Sequence, residues 1–225
     1  MGHVRRLIAF DLDGTLIDSR RDLAESANEL IAELGGVPLS EEAIGRMVGE
    51  GAAVLVERAL AAAGIGDRPD ALSRFREIYD ERLINHTRPY DGIEEAVQSA
   101  RRIASVIVLT NKPADPSVRI LNSLGMLEMF DEVIGGDGPF PRKPDPAALM
   151  AAMGRSGSSA GSTLLVGDSA IDHETAGRAA SHCCLATYGF GFVTFPRERL
   201  TGKEWQVLSP GELPAVFDRF MAAAG

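Results

Sequence analysis

Three times in this chain a run of large apolar residues stops abruptly at a cluster of polar ones. Leu7–Phe10 ends at Asp11-Leu12-Asp13-Gly14-Thr15, residues 106–109 end at Thr110-Asn111-Lys112, and residues 164–166 end at Gly167-Asp168-Ser169. Runs of Val, Ile and Leu without polar alternation suit strands covered on both faces, as in a parallel sheet between two helical layers. Val133-Ile134 and residues 183–186 are expected as further strands, and residues 93–102, 117–124, 146–153 and 171–180 as helices. Asp115-Pro116 and Asp145-Pro146 each read as an Asp cap followed by Pro at the first helical position, and Ser209-Pro210-Gly211-Glu212 as the capping box of a last helix. Strands that alternate with helices need right-handed crossovers. The fold class is therefore α/β, a doubly wound Rossmann-like parallel sheet whose ligand site lies at the carboxyl ends of its strands. Each polar cluster falls at such an end.

Residues 17–88 break the alternation. They contain no convincing strand, and Leu23, Ala27, Leu30 and Leu34, then Ala52, Val56 and Leu60, then Leu72, Phe75, Tyr79 and Leu83 recur at helical spacing. Joined by Gly35-Gly36-Val37-Pro38 and Gly64-Ile65-Gly66, they predict a small all-helical cap domain over 17–88, inserted in a core made of 1–16 and 89–225. An insertion directly after the strand that delivers Asp11 and Asp13 hangs over the site.

Composition narrows the possible partners. The chain has 225 residues, long enough to bury a core without disulfides, and 45% of them are hydrophobic. Its 32 acidic and 23 basic residues give a net charge of -9, which disfavours unspecific binding to nucleic acid or to an anionic membrane. No apolar stretch near the start is long enough for a signal peptide or a membrane span, so a cytoplasmic location is expected. The adjacent Cys183 and Cys184 build neither a disulfide framework nor a zinc cluster, and are expected as buried strand residues. Oligomeric state leaves no mark in the sequence.

Asp11 and Asp13 project to the same side of a strand end, where such a pair can hold a divalent cation while one carboxylate acts as nucleophile and the other as acid and base. Alone, the pair is more often an ordinary strand-terminating turn with a helix cap. Asp168 and Asp172 share a face if a helix begins near Ser169, although acids in a first turn also stabilise the helix dipole. Lys143, stiffened by Pro144 and Pro146 nearby, brings one ammonium; by itself it is a loop lysine. Thr110-Asn111 presents a hydroxyl and an amide, which is also common turn chemistry.

Taken together and in this order, Asp11 to Thr15, Thr110, Lys143 and Gly167 to Asp172 resemble the four motifs of the haloacid dehalogenase superfamily. The resemblance covers nearly the whole chain, and the helical insertion is similar to the small cap of the superfamily's subclass I. Residues 46–60 resemble the corresponding segment of bacterial phosphoglycolate phosphatases. The resemblance implies a phosphatase in which Asp11 attacks phosphorus to form an aspartyl phosphate and Asp13 protonates the leaving alkoxide, then activates water. It also implies Mg²⁺ held by Asp11, the Asp13 carbonyl and Asp168, phosphoryl oxygens bound by Thr110, the Asn111 amide and Lys143, and Asp172 either paired with Lys143 or ordering metal-bound water. The substrate it implies is a small phosphorylated metabolite, 2-phosphoglycolate, with no nucleic acid or membrane partner.

Other chemistries on the same scaffold are a halide-displacing dehalogenase, a sugar phosphomutase of the β-phosphoglucomutase kind, and a non-catalytic phosphate-binding module. Asp13 and Asp168 have no purpose in the first, and the four motifs are shared with the second. The third has no need of a nucleophile. For the substrate's carboxylate the sequence offers Gly49 and Gly51, where backbone can approach a ligand at the start of a helix, with Arg46 and Arg20 as nearby cations. His173 is expected at a helix start without a chemical role, and His3, His86 and His182 have no partners at metal-ligand spacing. Trp205, Phe190, Phe192 and Phe195 are expected to pack the C-terminal strands, with the Gly189-Phe190-Gly191 loop able to reach the site.

Overall fold

The computed structural model describes residues 5–223; the reading of His3 lies outside them. Five of the apolar runs become strands of one parallel sheet: β1 (Leu7–Phe10), β4 (Ser105–Leu109), β5 (Glu132–Ile134), β6 (Thr163–Gly167) and β7 (His182–Ala186). A sixth strand, β8 (Trp205–Val207), closes one edge, so the spatial order is β5-β4-β1-β6-β7-β8. All neighbours are parallel. Counting only these strands along the chain gives the order 3-2-1-4-5-6, the doubly wound arrangement, with the direction of winding reversing at β1.

Alternate residues of each strand enter opposite layers. Ile8, Phe10, Val106, Val108, Leu164 and Val166 join one buried cluster with α5 (Ile93–Arg101), α6 (Ala114–Ser123) and α9 (Leu213–Ala223). Leu7, Ala9, Ile107, Leu109, Leu165 and Leu185 join the other, with α7 (Ala147–Ser156) and α8 (Ala170–Arg178). Both faces being covered explains why the strands carry no polar alternation. Cys183 and Cys184 are buried in β7 as expected.

Residues 17–88 hold four helices, α1 (Arg20–Glu33), α2 (Glu41–Gly45), α3 (Ala52–Ala62) and α4 (Ala71–Asp80). Their apolar stripes are those expected from the spacing: Leu23, Ala27, Leu30, Val56, Leu60, Phe75 and Tyr79 are all buried. The short α2 carried no periodic signal. Contrary to the expectation of no strand, β2 (Ile17–Asp18) pairs antiparallel with β3 (Arg88–Pro89), so the chain enters and leaves the helical insertion at one point. Asp22 fastens that point. Fully buried, its carboxylate accepts from the Thr87 hydroxyl at 2.7 Å and from the amides of Thr87 and His86, which satisfies a buried charge with several donors. These bonds also place His86 beside Asp22 and Glu25, so its expected lack of partners at ligating distance does not hold.

Three helix starts differ from the sequence reading. α6 begins at Ala114 after Pro113, with the Ala114 amide donating to Asp137, 23 residues away in the chain, so Asp115 lies inside the first turn. Asp145 does cap, accepting the Ala147 amide at 2.9 Å, but Pro146 stands at the cap position itself. The box expected at Ser209 and Glu212 is not formed. Glu212 accepts the Leu208 amide instead, and a single 3₁₀ turn over Pro210–Glu212 leads into α9.

Candidate active site

Sheet register brings the first chemical groups together. Phe10 stands opposite Val108 on β4 and Val166 on β6, so Asp11 leaves the sheet beside Thr110 and Asp168, each two residues beyond those partners. This is the switch point of the doubly wound order, where a crevice opens at the strand ends. Asp11, Thr110, Asn111, Lys143, Asp168 and Asp172 are all at least nine-tenths buried.

Lys143 reaches this cluster from the loop before α7. Its Nζ lies 2.8 Å from Asp11 Oδ1 and 2.6 Å from Asp172 Oδ1. Asp172 is held in turn by a reciprocal capping box with Ser169 at the start of α8, the Ser169 hydroxyl donating at 2.6 Å. Asp172 thus lies in the first turn of α8 and also pairs with Lys143. Asp168 accepts the Gly191 amide at 2.7 Å, so the Gly189-Phe190-Gly191 loop does reach the site. Gly14 has φ +89°, and a side chain there would overlap Asp168, with Cβ only 1.9 Å from Oδ2. The Asp-Gly-Thr turn needs its glycine on both counts.

Carboxylate oxygens of Asp11, Asp168 and Asp172 lie within 4.8 Å of one another, an arrangement able to hold a metal ion. Burial pushes the Asp11 carboxyl up to about 7, although Lys143 pulls the other way, and the Asp172 charge adds to the rise. Asp168 is raised well above the ordinary carboxylate range by burial and by its acidic neighbours Asp11 and Asp172. Burial alone would lower the Lys143 ammonium, yet Asp11 and Asp172 keep it above an ordinary lysine. Three buried carboxylates thus face one buried ammonium, a surplus of negative charge that a divalent cation would offset.

Asp13 points elsewhere. Its carboxylate accepts the Ser19 hydroxyl at 2.5 Å and forms an ion pair with Lys112 Nζ at 2.9 Å. Lys112, given no role by the sequence beyond its place in a polar cluster, is 7% exposed in its side chain, and its ammonium sits 4.7 Å from the centre of the Tyr79 ring. Its backbone amide donates to Thr110 Oγ1 at 3.2 Å, leaving the Thr110 hydroxyl proton available to a ligand.

These groups form the floor of a cavity of about 320 Å³ between the sheet and the helical insertion. Asp11, Asp13, Thr110, Asn111 and Lys112 line one side, and Leu23, Val48, Leu55, Phe75 and Tyr79 the other. Gly49 and Gly51 also line it, and both have positive φ, +124° and +92°. The Asn111 side-chain amide donates to Gly49 O and to Lys143 O, each at 2.9 Å, so it ties the insertion to two loops of the sheet. Arg46 is not brought to the cavity: it makes an exposed ion pair with Glu42 one helical turn away. Arg20 is likewise engaged, by Asp18. His173 bonds Glu204 at 2.7 Å, away from the carboxylate cluster. Among the described residues no helix is long and apolar enough to cross a membrane.

Residues 8–186 match the sequence profile of the family described as haloacid dehalogenase-like hydrolase. The chain is 39% identical over 194 residues to a phosphoglycolate phosphatase of Rhodospirillum rubrum, covering 82% of this chain and 80% of that one. It is 40% identical over 190 residues to a phosphoglycolate phosphatase of Cereibacter sphaeroides, covering 81% and 85%. A crystal structure described as that of a predicted phosphoglycolate phosphatase from Haemophilus somnus superposes with a TM-score of 0.86 at 28% identity, covering 95% of this chain and 98% of that one. With the four motifs assembled at the carboxyl ends of the strands and the match spanning most of the chain, this protein belongs to the haloacid dehalogenase-like hydrolases.

Proposed function

We propose that this protein is a Mg²⁺-dependent phosphatase of small phosphate monoesters, that its substrate is 2-phosphoglycolate, and that the reaction passes through an aspartyl phosphate on Asp11. The observation that carries the substrate is the identity of 39–40%, over at least four fifths of both chains, to proteins named phosphoglycolate phosphatase. The chemistry rests on the buried Asp11 beside Thr110 and Lys143. Residues 17–88 act in this reading as a cap over a core formed by 1–16 and 89–225.

Phosphoryl transfer needs an in-line nucleophile, neutralised equatorial oxygens and a proton for the leaving group. Asp11 supplies the nucleophile. The Thr110 hydroxyl, the Asn111 backbone amide and Lys143, which has three protons and two carboxylate partners, donate to the phosphoryl oxygens. Asp13 passes a proton, supplied by the Lys112 ammonium that donates to its carboxylate, to the departing alkoxide, and takes one back from the water that hydrolyses the aspartyl ester. Asp11, Asp168 and the Asp13 carbonyl would hold the metal, and Mg²⁺ bound there would supply the positive charge that brings a phosphate dianion up to a carboxylate. Asp172 keeps Lys143 in place. The cavity is too small for a protein or nucleic-acid substrate.

The test follows labelled phosphate from substrate to protein. Parent protein with Mg²⁺ should release phosphate from phosphoglycolate and show a labelled, acid-stable intermediate when quenched; Asp11→Asn should show neither. Asp13→Asn should still label with a substrate whose leaving group needs no proton. Label on Asp11→Asn at the parental level, or turnover undiminished after exhaustive chelation, would refute the reading, and efficient transfer to an added sugar phosphate would redirect it to a mutase.

A further inference from the structure

The cavity side opposite Asp11 carries one cation without a partner. Arg76, on α4, lines the cavity and is exposed, and among the described residues it makes no hydrogen bond or ion pair. The polar groups near it on the same helix are engaged, apart from the Tyr79 hydroxyl. Arg74 pairs with Glu33 and Glu77, Tyr79 lies under Lys112, and Asp80 pairs with Arg119 on α6. The link from Asp80 to Arg119 also fixes α4 over the crevice, so that Arg76 is carried on a helix docked to the sheet layer.

The rest of that side offers an anion little. It is lined by Leu23, Val48, Leu55 and Phe75, with the buried Tyr79 hydroxyl as a neutral donor that has no partner, while Asp80, Asp115 and Asp137 stand among the lining residues as acids that repel a negative ligand. Lys112 is already committed to Asp13. A substrate with phosphate at Asp11 and a second negative group across the cavity therefore has one uncommitted guanidinium to meet, and a guanidinium binds a carboxylate through two parallel hydrogen bonds. The exposed stem leaves it free to turn inward.

We infer that Arg76 determines specificity by receiving the carboxylate of the substrate, and so selects phosphate monoesters of hydroxy acids over neutral phosphate esters. This rests on the phosphatase reading above and replaces Arg46 as the recognising cation. The interaction is made in the ground state and the transition state alike, so its loss appears in KM.

The experiment compares phosphoglycolate with ethyl phosphate, which has a similar size and no carboxylate, in parent protein, Arg76→Gln and Arg76→Lys. In Arg76→Gln the ratio of kcat/KM for phosphoglycolate to that for ethyl phosphate should fall roughly 10- to 100-fold, the range expected for one charge-assisted contact. The change should lie in KM, and Arg76→Lys should restore part of it. Equal losses on both esters, or a ratio that does not move, would overturn the assignment of Arg76 while leaving the phosphatase intact. A parent without preference for phosphoglycolate overturns it too, together with the substrate reading. A parent that hydrolyses neither ester removes the phosphatase reading itself.

Discussion

Replacing Lys112 by methionine keeps the length and bulk of the side chain and removes its charge. The change strands Asp13, whose carboxylate is left with the Ser19 hydroxyl alone. Side chains of the pair are 7% and 12% exposed, so this is a buried pair, and breaking one from a single side costs about 3–5 kcal/mol. Two features place the expected loss near the lower end of that range. Asp13 faces the cavity, where water can partly rehydrate it. The methionine sulfur also keeps a contact with the Tyr79 ring where the ammonium stood, worth about 0.3–1.5 kcal/mol. For a chain of this length each kcal/mol moves the melting midpoint by about 2–4 °C, so Lys112→Met should melt roughly 6 to 12 °C below the parent. The double variant Lys112→Met with Asp13→Asn removes both charges and should recover much of the loss, which a double-mutant cycle in urea reads as a coupling of about 2 kcal/mol or more. If Lys112→Met lies within about 0.5 kcal/mol of the parent, the size expected of an ordinary surface change, or if the double variant is the less stable of the two, Lys112 does not hold a buried carboxylate and the argument fails.

Two further outcomes concern the carboxylate cluster. In metal-free protein the Asp11 carboxyl is raised to about 7 from an ordinary 3.8, so the folded state binds the extra proton; the stability this contributes is complete below about pH 4 and is lost as pH rises through 7. The melting midpoint in chelator should fall between pH 5 and pH 8, and the stabilisation by added Mg²⁺ should grow over the same interval; a midpoint in chelator that is flat or rises there contradicts the cluster's electrostatics. Gly189→Ala would set a methyl group 2.2 Å from Gly14 O and 2.3 Å from Asp168 Cβ, displacing Asp168, so the Mg²⁺-dependent shift in melting midpoint should disappear. Gly64→Ala, strained by φ +72° but meeting no atom within 4 Å, should lower the midpoint and keep the Mg²⁺ response; the same response in both variants would show that Asp168 holds no metal.

What the sequence made legible follows how local each signal is. β1 is read to the residue, and β4, β6 and β7 to within one at either end, because strands buried on both faces show as uninterrupted apolar runs. β8 escaped notice: three residues at the sheet edge, with Gln206 exposed between Trp205 and Val207, carry no such run. β2 and β3 owe their pairing to residues 70 and 72 positions apart, meeting where the chain enters and leaves the insertion, which no local pattern encodes. The start of α6 was misplaced because Asp137, not the local Asp115, satisfies its first amide. At the site, Asp11, Thr110, Lys143, Asp168 and Asp172 converge as read. Lys112 was missed since a lysine after Thr-Asn at a strand end has the same appearance whether it faces solvent or folds back on an acid 99 residues away. Arg46, just past the end of α2, and Arg76, in α4, are both arginines of the insertion, and only tertiary packing decides which one faces the cavity.

This difference in legibility reflects how the site is divided. In the proposed reaction, Asp11, Thr110 and Asp168 come from the ends of three adjacent strands, where register fixes them: a slip of one residue in β1 against β4 would turn Asp11 to the opposite face and bury Leu12's position in the crevice. Such groups must sit at set distances from apolar runs, and the spacing is visible in the chain. In the same reading, the groups around the rest of the substrate come from helices that meet the sheet through the β2–β3 pairing, a shared apolar cluster and contacts such as Asn111 to Gly49 and Asp80 to Arg119. Nothing in the sheet's register constrains which residue of α4 meets the cavity. Changes on α4 are therefore expected to alter what is bound without disturbing Asp11, whereas changes at the strand ends are expected to stop the reaction for every ester. That asymmetry is why comparing two esters in an Arg76 variant separates recognition from chemistry, and why the same comparison in an Asp11 variant would not.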